Sequence, residues 1–173
     1  LDGDDRALLR DSGSAIAFCP SSNLFLGSGL FGWAAARAAG VGVTLASDVG
    51  GGTSLSIPRT LADGYKVQAL AGQRVTAWAL LHGATLGSAR ALGLEAEIGS
   101  LEPGRLADLV VWDRARGPVE ARRQSVARDL HDAVFAWMTM ADDRHVVSTR
   151  VAGVERYRRA GEPAEPTDTI NPP

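Results

Sequence analysis

Val41-Gly42-Val43-Thr44-Leu45-Ala46-Ser47-Asp48 is a short apolar run that ends on two polar residues and passes into Val49-Gly50-Gly51-Gly52-Thr53. An apolar run of this length, bounded by glycine, reads as a strand buried on both faces, the kind found in parallel sheets. Its counterpart upstream is Ser14-Ala15-Ile16-Ala17-Phe18-Cys19, stopped by Pro20. Between them, residues 30–39 read as a short helix closed by Gly40. Beyond the glycines, two helical stretches at 57–71 and 76–92 flank a turn that contains Gly72 and Arg74. Strand, helix, strand, helix is the rhythm of a right-handed βαβ array. Two such units cannot close a core alone, and a (β/α)8 barrel needs about 250 residues. The fold class is therefore α/β, a piece of a TIM-like (β/α)8 barrel spanning residues 1–95.

Toward the N-terminus, Leu1-Asp2-Gly3-Asp4-Asp5-Arg6 opens the chain without a methionine, in the middle of a pattern. Leu8, Leu9 and Arg10 belong to a short amphipathic helix capped by Asp2 or Asp4 and ended by Gly13. After Gly93 the texture changes. A Pro103-Gly104 turn leads to a strand at Leu109-Val110-Val111-Trp112-Asp113. A mixed apolar segment at 129–140 precedes a strand at 146–151, and Ala152-Gly153 turns it into 154–157. Residues 96–157 thus read as a barrel-closing helix and an appended antiparallel β element. Residues 158–173 carry four prolines and almost nothing apolar, so disorder is expected there.

Composition narrows the function classes. The 173 residues carry a net charge of -2, with 45% hydrophobic and 22% charged residues, which is ordinary globular composition. A near-neutral chain lacks the clustered positive charge that nucleic acid or an anionic membrane surface would need, so neither partner is expected. No apolar run reaches the roughly 18 residues of a membrane span. Cys19, the single cysteine, excludes an intrachain disulfide and fits a reducing, cytoplasmic setting. Lys66 is the sole lysine among 18 basic residues, and the scattered arginines suggest coding bias.

Asp48 stands where a buried strand ends and a glycine loop begins, the place from which parallel barrels project their reactive groups. A carboxylate there can bind a metal or act as general base, or it can simply cap a turn. The glycines either admit a ligand close to the backbone or form a flexible turn, with Thr53 or Ser54 opening the next helix. No Gly-Lys-Ser or Gly-Lys-Thr follows, so this is no phosphate loop. Ser21-Ser22-Asn23 is a second polar cluster at a strand end, readable as a turn after Pro20 or as groups that orient a ligand. His82, His131 and His145 are too far apart for a metal motif and read as structural or surface residues. Cys19 reads as a small core residue and the tryptophans as packing.

Phe18-Cys19-Pro20-Ser21-Ser22-Asn23-Leu24 with Ser47-Asp48-Val49-Gly50-Gly51-Gly52-Thr53-Ser54 resembles the guanine deaminases of the amidohydrolase superfamily. The resemblance continues through Tyr65-Lys66-Val67-Gln68, Leu101-Glu102-Pro103-Gly104, Ala107-Asp108-Leu109 and Asp142-Asp143-Arg144, covering residues 1–157. It implies the C-terminal part of the barrel and a zinc-activated water that converts guanine to xanthine and ammonia. By similarity Asp48 is both a zinc ligand and the catalytic carboxylate that orients or deprotonates that water, while Ser22 and Asn23 are wall residues without a catalytic role. The family's remaining zinc ligands, its shuttling glutamate and its guanine-gripping arginine are expected upstream, on a missing N-terminal portion of the same protein. The family also suggests a homodimer. The isolated chain is therefore expected to be inactive, without tight zinc, and prone to aggregate. Two other readings stand beside this one: a sibling hydrolase of another purine, pyrimidine or triazine, and a non-catalytic remnant serving as an interaction module.

Overall fold

The computed structural model describes residues 1–163. Its two strands of the barrel type, β1 (Ala15–Phe18) and β2 (Gly42–Leu45), pair in parallel with Ala15 opposite Gly42 and Phe18 opposite Leu45. Helix α1 (Gly3–Asp11) precedes them, and α2 (Pro20–Leu26) and α3 (Trp33–Ala38) form the crossover. The first helix starts as its sequence dictates: Asp2 caps it, accepting from the Asp5 N–H at 2.9 Å while Asp5 accepts from the Asp2 N–H at 3.0 Å.

Burial of these strands on both faces does not hold within the described chain. Ala15 and Ala17 are exposed, and only Phe18, Thr44 and Leu45, at the C-terminal ends, are buried. The reason is that the two-stranded sheet has helices packed only at that end among the described residues. There Phe18, Trp33 and Leu45 meet Leu61 and Val67 of α4 (Ile57–Leu70) and Leu80 of α5 (Ala77–Ala84). Phe18 lies 4.9 Å from the Phe31 ring and 5.8 Å from that of Trp33. Gln68, fully buried, ties α4 to the crossover by donating to the Phe31 carbonyl at 3.0 Å.

The stretch at 76–92 is two helices, α5 and α6 (Leu86–Ala91), broken at Thr85 with φ -126° and ψ -104°. Hydroxyls compensate the break: Thr85 donates to the Leu81 carbonyl at 2.8 Å and Ser88 to the Gly83 carbonyl at 2.7 Å. A polar helix, α7 (Pro118–Ser125), follows the strand β3 (Leu109–Trp112); it has no apolar stripe to announce it, only Pro118 at its first position. Arg123 and Gln124 bind it to Asp132 and Ala133 of α8 (Leu130–Met140).

The appended β element is a three-stranded antiparallel sheet in the order β3, β4 (Val146–Val151), β5 (Val154–Arg158). Its hairpin turns through Ala152 and Gly153, both at positive φ, and the Asp108 carboxylate holds the Ala152 N–H at 2.6 Å. Trp112 of β3 packs edge-on to Trp137 of α8 at 5.3 Å, joining this sheet to the helices. Of the tail expected to be disordered, residues 164–173 lie outside the described ones. Its first residues are structured: Arg158 ends β5, and Arg159 donates to Asp113 at 3.2 Å.

Candidate active site

Asp48 follows β2 by three residues and has φ +47°, in the left-handed region that few residues other than glycine adopt. Its carbonyl closes a tight turn, accepting from the Gly51 N–H at 3.1 Å and the Gly52 N–H at 2.5 Å. A Cβ at Gly52 would lie 2.0 Å from the Ser47 carbonyl oxygen, and one at Gly51 would lie 2.7 Å from the Ser22 Oγ. Gly51 and Gly52 are therefore demanded by close packing and Gly50 by its φ of +119°, which a merely flexible turn would not require. Neither Thr53 nor Ser54 opens the next helix. Ser56 is the N-cap of α4, and the Ser54 hydroxyl accepts from its N–H at 3.0 Å.

Ser21-Ser22-Asn23 is helical; the turn expected after Pro20 is instead the first turn of α2. Proline at the first position presets the helical φ, and Gly27 at φ +69° ends the helix seven residues later. This turn carries two consecutive buried hydroxyls pointing to different carboxylates. Ser22, 2% exposed, donates from Oγ to Asp48 Oδ2 at 2.7 Å. Ser21 donates to Asp63 Oδ2 of α4 at 2.8 Å, and Lys66 completes that pair by donating to Asp63 Oδ1 at 3.0 Å. Asp48 itself is exposed, with Oδ1 the oxygen not engaged by Ser22. The Ser22 contact spans 26 residues and has no local sequence signal. The Asp63–Lys66 pair does have one, at i,i+3 spacing on a helix.

Cys19 is the N-cap residue of α2 and only half-buried, not a core strand residue. Burial pushes its thiol above its ordinary pKa, and the negative charge of Asp48 adds to the rise. The histidines stay apart: His82 and His131 are exposed on α5 and α8, whereas His145 is buried and accepts the Asp142 N–H at 3.1 Å. Asp142 is held well below the carboxylate range, first by hydrogen bonds from Arg144 and then by Arg59 of α4. That cluster is a brace between elements.

Among the described residues no group of three His, Cys, Asp or Glu side chains could hold a metal. A catalytic zinc centre takes about three protein ligands, and Asp48 offers one. The described residues do not by themselves fit zinc. A cavity of about 870 Å³ between α5, α6 and the paired strands β3 and β4 is apolar, and a polar one of about 290 Å³ borders Ser21, Asp63 and Lys66; Asp48 lines neither. Among the described residues no helix is long and apolar enough to cross a membrane.

The sequence pattern of the amidohydrolase family matches residues 1–156. A guanine deaminase of Escherichia coli is 42% identical over 151 residues, which is 87% of this chain and 34% of the relative. A 5-methylthioadenosine/S-adenosylhomocysteine deaminase of Symbiobacterium thermophilum is 34% identical over 155 residues. The solved structure of the E. coli guanine deaminase superposes with a TM-score of 0.89 at 40% identity, covering 92% of this chain and 37% of that one. The chain thus spans about a third of the length of the relatives it matches.

Proposed function

The chain belongs to the amidohydrolase family, and from that membership we propose that the whole protein hydrolyses guanine to xanthine and ammonia. The observation that carries this reading is the 42% identity to a guanine deaminase across 87% of the chain, including the turn that positions Asp48. This chain corresponds to the C-terminal part of the barrel with its appended sheet, and the remaining portion of the same protein supplies the other ligands. The family is generally metal-dependent, and zinc is the metal proposed here. Zinc, when bound, makes water a usable nucleophile near neutral pH.

The residues of this chain do two things in that scheme. Asp48 would contribute one ligand to the metal and would accept or orient the proton of the attacking water. The glycine turn keeps side chains away from it. Hydrolysis replaces the C–NH2 group of the ring by a carbonyl and releases ammonia. Guanine is the partner molecule, the working unit a homodimer, and the setting cytoplasmic.

The test is xanthine formation by the complete protein, supplied with zinc, against a panel of other purines, pyrimidines and triazines. Guanine turnover that vanishes in Asp48→Asn supports the reading. Turnover of another heterocycle with guanine untouched replaces it by a sibling deaminase, which the 34% identity to the S. thermophilum enzyme makes the natural second reading.

A further inference from the structure

We propose that His145 is a proton-operated latch that tightens α7 against the turn leading into β4. The inference stands apart from the reading of Asp48 and involves no metal.

The imidazole closes a 3-10 turn, Asp143–His145, and is 3% exposed, so further chain packed on this face can only bury it more. Its Nδ1 accepts the Asp142 N–H at 3.1 Å, which places the hydrogen of the neutral ring on Nε2. Two carboxylates flank the ring. Asp142 Oδ1 lies 3.2 Å from Nδ1, with no hydrogen between them while Nδ1 accepts. Glu120 Oε1 of α7 lies 3.8 Å from Nε2, beyond a hydrogen bond. A second ring proton changes both contacts. Nδ1–H gains Asp142 Oδ1 as acceptor, the Asp142 N–H gives up its own, and the positive ring draws Glu120 in.

The other charges around the ring are largely matched. Asp142 accepts from Arg144 and from Arg59 of α4. Asp113, after β3, donates its N–H to the His145 carbonyl, while its carboxylate accepts from Arg159, which also pairs with Glu162. Arg116 is committed to the Arg144 carbonyl at 2.7 Å, and the charge of Asp143 supports Arg144. Glu120 enters no other ion pair among the described residues, so it is the carboxylate left to answer a charge on the ring. Its second oxygen folds over Gly117 at the start of α7, where an added Cβ would meet it at 2.5 Å.

The helix needs such a link. Pro118-Val119-Glu120-Ala121-Arg122-Arg123-Gln124-Ser125 has no apolar stripe, so polar contacts dock it. Arg123 and Gln124 tie its later turn to α8, and Glu120 is the charged link of its first turn. Asp132, held at about 2, stays ionised from pH 8 to pH 6, so the Arg123 link does not change over that range. Histidine is the side chain that ordinarily changes charge between about pH 5 and 8. A proton bound more strongly with α7 docked makes docking stronger as pH falls from 8 to 6 and weaker as it rises.

Hydrogen exchange of residues 118–125 in the complete protein tests this at pH 8 and pH 6, as protection factors that remove the intrinsic pH dependence of the amides. Parent protection should be up to about fivefold higher at pH 6, the range of a partly exposed ion pair. Glu120→Gln should match the parent at pH 8 within about twofold and lose the gain at pH 6. His145→Asn, whose side-chain oxygen can still accept the Asp142 N–H, should lose it too. His131→Asn, on α8 against the Trp78 ring, should keep it. Parent protection equal at both pH values or lower at pH 6 overturns the latch, as does a gain that survives in Glu120→Gln. A gain lost in Glu120→Gln but kept in His145→Asn also overturns it, because another base then answers Glu120. Should His145→Asn not fold, Glu120→Gln decides alone, since it leaves the buried turn untouched.

Discussion

Gly51 lies so close to Ser22 that a methyl group added to it would sit 2.7 Å from the Ser22 Oγ and 3.1 Å from Asp48 Oδ2. The glycine therefore guards the serine–aspartate contact from the side. Gly51→Ala must push the two apart or displace the turn, and the backbone φ of Gly51 is not the obstacle. Activity of the complete protein should fall by at least about tenfold, the lower end of what disturbing the surroundings of a metal ligand costs. Equal activity and an unchanged melt would show that the contact yields freely.

Cys19 should alkylate more slowly than a free small thiol at pH 8, because burial and the charge of Asp48 both raise its pKa and only the thiolate reacts. Asp48→Asn removes the second cause and leaves the first. Its labelling rate should rise modestly and remain below that of the free thiol. No change in rate on removing the Asp48 charge would rule out that electrostatic link.

Acid should loosen the α7–α8 corner. Asp132 is held at about 2 by Arg123 first, then by the Arg128 N–H. A carboxylate with a depressed folded pKa contributes stability that is complete above the unfolded value near 4 and is lost as pH falls toward the folded one. Urea midpoints measured from pH 5 to pH 2 should therefore drop, and Asp132→Asn should make that drop shallower. A variant as acid-sensitive as the parent would assign the loss elsewhere, with Asp142 the next group to replace.

Gly83 sits on α5, where alanine would ordinarily add up to about 1 kcal/mol of helix propensity. Its added Cβ, however, would lie 2.9 Å from a Leu45 methyl and 3.2 Å from the Trp33 ring, both core atoms. Overpacking costs typically about 1–3 kcal/mol, so Gly83→Ala should be net destabilising in chemical denaturation. Stabilisation instead would mean that Leu45 repacks at little cost.

Much of this arrangement is legible in the residues. Both barrel strands, the break at Pro20, the hairpin at Ala152-Gly153 and the presence of a glycine turn after Asp48 follow from apolar runs and turn chemistry. What was illegible has physical causes. The α2 helix hides because Pro20-Ser21-Ser22-Asn23 carries turn residues, and only its packing on α4 decides for helix. The break at Thr85 hides because side-chain hydroxyls substitute for the missing backbone bonds. The Ser22–Asp48 contact joins residues that share no period, and tertiary structure alone brings them together. The degree of strand burial depends on neighbours that residues 1–163 do not contain.

Lys66 gives these 173 residues a single scissile bond for a lysine-specific protease, and that bond lies inside α4. The residue after it, Val67, is 1% exposed and part of the core. Backbone in that state cannot enter a protease cleft until the helix opens. Cleavage into two fragments at this bond is thus a clock for core opening, and its rate as a function of protease concentration separates the opening equilibrium from the opening rate. The helix that braces Ser21 thereby carries its own reporter, with no label added.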